Sequence, residues 1–174
     1  MQQKDQLELL RHWARNVKRA QFAHYRMADH YRRQYTAIGV AVTVITVATG
    51  SALLADLPSV LPSLTTPIRI VSGLLVLFAS ALSGLQTFLK LEERKALHAE
   101  AGAAYSAVKR HIDQLIADAK DKIIASSVLD DVRSHMDSLG SQSPQISDSV
   151  WTAALAEMPA LDFKHYYPAS HGHD

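Results

Sequence analysis

With nine histidines and no cysteine, imidazole is the side chain best suited to chemistry in this chain, as a metal ligand or as an acid–base group working near neutral pH. His165, His171 and His173 fall close together, but beside Pro168 and Gly172 and without an HExxH or comparable ligand spacing. Weak surface binding of a divalent ion is the most such a stretch offers. His24 and His98 occupy long polar segments next to apolar runs, where an imidazole can fill a seam between helices while hydrogen-bonding a carboxylate or a tyrosine. No serine or aspartate is ordered around either for nucleophilic catalysis, and no glycine-rich loop could cradle a phosphate. The residues therefore read as a non-enzyme with no catalytic, cofactor or metal site, and the absence of cysteine excludes disulfides and thiolate chemistry.

A second set of residues is chemically quieter. Gly39, Thr43, Thr46 and Gly50 recur at threes and fours, as do Ser72, Ser80 (or Ala79), Ser83 and Gln86 with one turn skipped, and Ser80 and Gly84 have small-xxx-small spacing. Such spacing gives each helix one face of small or weakly polar groups. That face either permits close helix contact with interhelical hydroxyl bonds or lines an aqueous path through an assembly. Both roles favour Thr, Ser and Gly, so both stay open.

The elements that carry these faces are two charge-free runs, residues 34–55 and 70–89. At about 1.5 Å per residue, each is long enough to cross a hydrocarbon core of about 30 Å as a helix. The spans are placed at about 35–56 and 69–89. A soluble bundle with two buried central helices is the alternative, but a core helix normally keeps a wet stripe. No charged ring lies within the runs, which argues against strong ion selectivity and against proton-coupled transport.

Charge orients the runs. Lys4, Arg11, Arg15, Lys18, Arg19, Arg26, Arg32 and Arg33 precede the first run and Lys90, Arg94 and Lys95 follow the second, whereas the intervening DLPSVLPSLTTPIR has only Arg69. The positive-inside rule places both termini in the cytoplasm, on the inner side of the plasma membrane. Pro58, Pro62 and Pro67 make the short loop extended or turned. Arg32 and Arg33 beside Tyr31 and Tyr35 are interfacial anchors. A formal net charge of +1 and no recognition motif speak against nucleic-acid binding. More than thirty largely polar residues before the first run are unlike a secretory leader.

On the polar side, Leu7, Leu10, Ala14, Val17, Gln21, His24 or Tyr25, Ala28 and Tyr31 form a narrow seam on a helix with nothing to stop it before Gly39. After the second run, Leu97, Ala101, Ala104, Val108, Ile112, Leu115, Ala119 and Ile123 form a second stripe with near-heptad spacing. This stripe continues as helix through 126–139, with a bend or break near Ser126–Ser127, and Gly140 with the following SQSP ends it. Residues 140–174 read as a linker, a short helix capped by Ser147 or Ser149 with Trp151, Leu155 and Met158 on one side, a stop at Pro159, and a mobile tail. The fold class is an all-α membrane protein, a two-transmembrane hairpin with long cytoplasmic helical extensions. Two membrane helices have little interior of their own, so a homo-oligomer is expected.

The stretch LQTFLKLEERKALHAEAGAAYSAVKRHI, with Leu85, Gln86 and Phe88 and then Ala96, His98, Ala101, Tyr105, Val108, Arg110 and Ile112, follows directly on the second run. Together with a first helix containing Trp13, His24 and Tyr25, it resembles the SLATT family, the "SMODS and SLOG-associating two-transmembrane" effector domains, over roughly residues 8–125. The resemblance implies a pore-forming or membrane-disrupting effector of a prokaryotic anti-phage conflict system. It also implies either a separate nucleotide synthase or sensor protein as partner, or an oligomer that senses the signal itself, since no sensor segment is recognisable in these residues. Trp13, His24, Tyr25, His98, Tyr105 and Arg110 would then be packing or gating residues of the cytoplasmic helices. A non-conducting membrane-anchored adaptor is the competing expectation.

Overall fold

The computed structural model describes residues 3–54, 65–119 and 122–157. Among them there is no strand. The helices are α1 (Gln3–Leu54), α2 (Thr65–Leu89), α3 (Leu91–Asp118), α4 (Ser126–Gln142) and α5 (Asp148–Glu157). Contacts divide the chain into two units: Met1–Met27 with His98–Asp174, a polar bundle, and Ala28–Leu97, an apolar unit.

In the bundle, α1 buries Leu10, Val17 and His24, and α3 buries His98, Tyr105 and Ile112, with Ala119 just past its end, in both cases every seventh residue. A strict seven-residue repeat holds one seam facing a partner helix, as in a coiled coil. Residues of α4 complete the core, with Leu129 and Val132 joining Leu10, Ala14, Val17, Tyr105 and Ile112 and with Met136 and Leu139 packed against them. His98, one position beyond the expected Leu97, occupies the seam. Leu97 is 46% exposed, Ile123 is 70% exposed, and His24 rather than Tyr25 points inward.

The long polar helix expected after the second run is interrupted. α3 ends at Asp118 and α4 is a separate helix from Ser126, so the bend or break expected near Ser126–Ser127 is present, and 126–139 belongs to a helix of its own rather than to a continuation. The connecting backbone is satisfied from α1. The buried Gln6 amide donates to the Ile124 carbonyl at 2.9 Å and accepts from the Ile124 N–H at 3.0 Å, and Gln3 donates to the Ala119 carbonyl at 2.7 Å. This two-way bond substitutes for the helical partners that Ile124 lacks. Ala125 begins α4 in an extended conformation without a side-chain cap. Gly140 does not stop α4, which continues to Gln142; Ser143, immediately before Pro144, is extended (φ −73°, ψ 143°) and ends it, as crowding by a following proline favours.

α5 starts as expected after Ser147, whose carbonyl accepts from the N–H groups of Val150 and Trp151. Its inward residue, however, is Ala154, while Trp151 and Leu155 are each 38% exposed. An Arg26–Glu157 ion pair ties it to α1. Met158, Pro159, the histidines at 165, 171 and 173, and the rest of the tail lie outside the described residues, as does the loop over 55–64.

The apolar unit is built the other way round. α1 and α2 each belong to a helical stretch long and apolar enough to cross a membrane, yet only 6% of either apolar window is buried. Val44, Leu74, Leu77, Phe78 and Phe88 are exposed, and Thr49 and Ala79 are buried. The core helix of a soluble bundle would show the reverse. α2 begins at Thr65 and so takes in Pro67, which was expected in the loop; first-turn N–H groups have no helical partner, so proline costs little there. It ends at Lys90, which has a left-handed backbone (φ 48°) despite carrying a side chain, a cost of about 1–2 kcal/mol. Lys90 N–H still bonds the Thr87 carbonyl at 3.3 Å, and its carbonyl accepts from Arg94 N–H at 3.0 Å.

Gln6→Leu should lower bundle stability by about 1–3 kcal/mol by orphaning the Ile124 N–H and carbonyl. Gln6→Glu, which keeps only the acceptor, should fall between Leu and wild type in chemical denaturation followed by circular dichroism.

Candidate functional site

Two groups of residues stand out, one in each unit. In the bundle the seam has a polar layer. His24 and His98, 1% and 3% exposed, meet Nδ1 to Nδ1 at 3.0 Å, and the Tyr105 ring stacks on His24 with centroids 5.4 Å apart and planes 18° apart. A single proton can occupy such a bond, so one ring presents Nδ1–H and the other a lone pair. A second proton would place two donors face to face. The cluster disfavours charge: burial, followed by the neighbouring His98, lowers His24 from its ordinary 6.5 to about 4, and burial lowers His98 as well. A polar layer within an otherwise apolar seam acts chiefly on register, because sliding the helices would leave a buried imidazole nitrogen without this partner.

The neighbouring residues of α3 fit the same surface. Ala101 is buried, and a methyl placed on Gly102 would lie 3.0 Å from the Tyr25 ring, so glycine lets that ring approach closely. Gln21 donates to Ser106 Oγ at 3.4 Å, and Arg110, exposed, donates to the same oxygen at 3.1 Å. Trp13 is half-buried against the core. Five of the six singled-out residues of the polar helices, Trp13, His24, Tyr25, His98 and Tyr105, thus belong to the α1–α3 seam or its edge, and Arg110 lies outside it. Nothing about them resembles a catalytic array. No group of three or more metal-ligating side chains exists among the described residues.

In the apolar unit, Thr46, Gly50, Ser80 and Ser83 are brought together around one groove of about 540 Å³, with Val42, Ile45, Thr49, Val76 and Ala79. Ser72 lines a separate groove of about 640 Å³ that Thr49 also borders. Gly39 and Gln86 are neighbours at the other end of the helices, where Gln86 Nε2 lies 3.5 Å from the Tyr35 carbonyl. Thr43 and Gly84 are exposed and border neither groove. Four of the hydroxyl protons have partners within their own helices. Thr43, Thr46 and Thr49 donate to the carbonyls of Gly39, Val42 and Ile45, and Ser80 donates to that of Val76, at 2.7–2.9 Å. Within the chain these four hydroxyls thus donate inside their own helices rather than between helices. Thr46, Thr49 and Ser80, whose hydroxyl protons are used within their own helices, offer the groove oxygen lone pairs rather than donors. Thr49, 5% exposed, is the residue that sequence spacing passed over. It lies three positions after Thr46, and that interval was the available signal.

Because the folded pKa of His24 lies below the unfolded value, the unfolded chain binds more protons at acid pH. Stability is therefore full above 6.5 and is lost as pH falls toward 4. At pH 5 the loss from His24 alone is about 2 kcal/mol relative to pH 7. His24→Leu combined with His98→Leu should remove most of this slope in denaturation measured at pH 7 and pH 5. A shallow remainder is expected from His12, which burial and the nearby Arg15 and Arg19 also hold below its ordinary value. His24→Ala alone should destabilise at both pH values. No family model, curated protein or solved structure matches this chain.

Proposed function

We propose that the protein is a homo-oligomeric membrane effector whose α1–α2 hairpins associate in the inner membrane and permeabilise it, with the polar bundle held in the cytoplasm as the controlling element. The observation that carries this reading is the inverted burial of the apolar unit. Large aliphatic and aromatic side chains face outward along two helices of membrane length, only 6% of each window is buried, and the small and hydroxyl-bearing residues gather round a groove. Outward apolar surface of this extent needs lipid or another copy to cover it. A groove edged by Thr46, Gly50, Ser80 and Ser83 suits both helix–helix contact and an aqueous lining. With no charged residue in the lining, conduction would be weakly selective.

Orientation follows from Arg32, Arg33, Lys90, Arg94 and Lys95 at one end of the spans against Arg69 at the other. The anti-phage setting, and a nucleotide synthase or sensor as partner, rest on the SLATT resemblance alone. Within that resemblance, the A-x-H-x-x-A-G-x-x-Y stretch of α3 gains a physical role as the surface on which α1 docks, through His98, Ala101, Gly102 and Tyr105.

A second reading, a non-conducting anchor that recruits a partner, draws on Trp151 and Leu155, which leave an apolar pair exposed on α5. The two readings part on one experiment. Purified protein reconstituted into dye-loaded vesicles should cause leakage, and Thr46→Leu with Ser80→Leu should reduce it at least tenfold while the protein remains inserted and helical. An anchor would give no leakage in wild type and would tolerate both substitutions in a partner pull-down.

A further inference from the structure

The charged side chains at one end of the apolar unit are distributed unevenly, and their neighbours give them a specific use. Asp29 is the shared partner of Arg32, through two N–H groups, and of Arg33, through Nε at 2.8 Å. Two guanidinium groups therefore face one carboxylate, and their side chains remain 65% and 79% exposed. On the adjoining segment, Lys90 is 67% exposed while paired to Glu93 at 3.0 Å, and Lys95 pairs with Glu92 at 3.2 Å. Arg94 lies 6.0 Å from the centre of the Tyr31 ring, which brings this segment beside the turn of α1 that carries Arg32 and Arg33. Tyr35 and Lys90 border the same groove of about 350 Å³, together with Gln86, Thr87, Glu92 and Glu93. Five cations thus meet three carboxylates along one rim, directly where the exposed apolar surface ends. The other end of α2 has a single charged residue, Arg69.

We infer that this rim, chiefly Arg32 and Arg33 of α1 with Lys90 and Arg94 at the α2–α3 junction, binds the phosphates of anionic phospholipid headgroups. The inference rests on the membrane reading above and adds to it the class of lipid. A guanidinium presents paired N–H donors that match phosphate oxygens. Basic residues at the level of the headgroups gain from an anionic leaflet. Asp29 limits the effect by holding part of the donor capacity of both arginines. The acidic partners Glu92 and Glu93 make Lys90 the weaker contributor, and Arg32 with Arg33 the stronger.

The test is electron paramagnetic resonance of spin-labelled phosphatidylglycerol and phosphatidylcholine around the full-length protein reconstituted in phosphatidylcholine vesicles. The readout is the ratio of the two lipids' association with the protein surface. Wild type should favour phosphatidylglycerol by about 3- to 10-fold at low salt. The preference should fall toward 1 at 1 M salt, where screening shortens to about 3 Å. Arg32→Gln with Arg33→Gln should bring the ratio near 1 with the total immobilised lipid unchanged, whereas Asp29→Asn should raise it above wild type. Arg69→Gln should leave it unaltered. A ratio of 1 in wild type with lipid immobilised normally overturns the lipid assignment and leaves the membrane reading standing. A preference that survives Arg32→Gln with Arg33→Gln overturns the assignment to these residues. Absence of any immobilised lipid overturns both.

Discussion

α1 is a single uninterrupted helix whose two halves meet opposite solvation demands, and most other features of the molecule follow from that constraint. Over residues 3–27 it buries an apolar seam against α3 and α4, while beyond residue 28 it exposes Val40, Val44 and Val47. A helix cannot do both in one solvent. Residues 3–27 pack as a coiled-coil strand, held by burial of its apolar seam. Residues 34–54 gain nothing from water and need hydrocarbon or further copies of themselves. The helix is continuous through both regions, with no loop residue between them.

Within the bundle, the interaction that fixes the arrangement is the His24–His98 hydrogen bond. Apolar layers such as Leu10 with Ile112 supply most of the burial but discriminate poorly between registers, because one aliphatic layer resembles the next. A pair of buried imidazoles sharing one proton does discriminate. The Gln6–Ile124 bond, near the far end of the same seam, has a related character: it holds the α3–α4 connection against α1 through backbone groups that no helix satisfies. Apolar area thus supplies stability, and two buried polar contacts supply position.

Period and composition made much of this legible in the sequence. Charge-free runs of twenty residues or more revealed α2 and the second half of α1, and the absence of proline and glycine before Gly39 anticipated that α1 would not break. The seams were legible to within one residue: His24 and His98 read as seam-filling imidazoles, while the aliphatic stripe was drawn through Leu97, one position before the buried His98. A bend or break near Ser126–Ser127 was expected from the length of the stripe alone, and α4 starts at Ser126; the segment before it contains neither proline nor glycine, and the break exists because α4 folds back onto the core and α1 side chains satisfy the freed backbone. Gly140 misled in the other direction, since an exposed glycine lowers helix propensity by only about 1 kcal/mol, whereas Pro144 imposes an extended residue before it. The left-handed turn at Lys90 was invisible because tertiary placement, not residue type, selects it. Spacing grouped residues that the structure divides: Thr46, Gly50, Ser80 and Ser83 share one groove, Ser72 borders another, and Thr43 and Gly84 border neither, while the threonine hydroxyls donate to their own i−4 carbonyls.

The claim on which the account turns is that, in the assembled protein, the hydroxyl-bearing face meets water while the valine- and leucine-rich face meets lipid. The native chain has no cysteine, so single cysteines can be read without background. The direct measurement is labelling of Thr46→Cys, Ser80→Cys, Val44→Cys and Leu77→Cys by a membrane-impermeant charged thiol reagent in reconstituted, leakage-competent vesicles. The account predicts that positions 46 and 80 react and that positions 44 and 77 stay protected. Reaction at 44 and 77, or protection of all four while the vesicles leak, would contradict it.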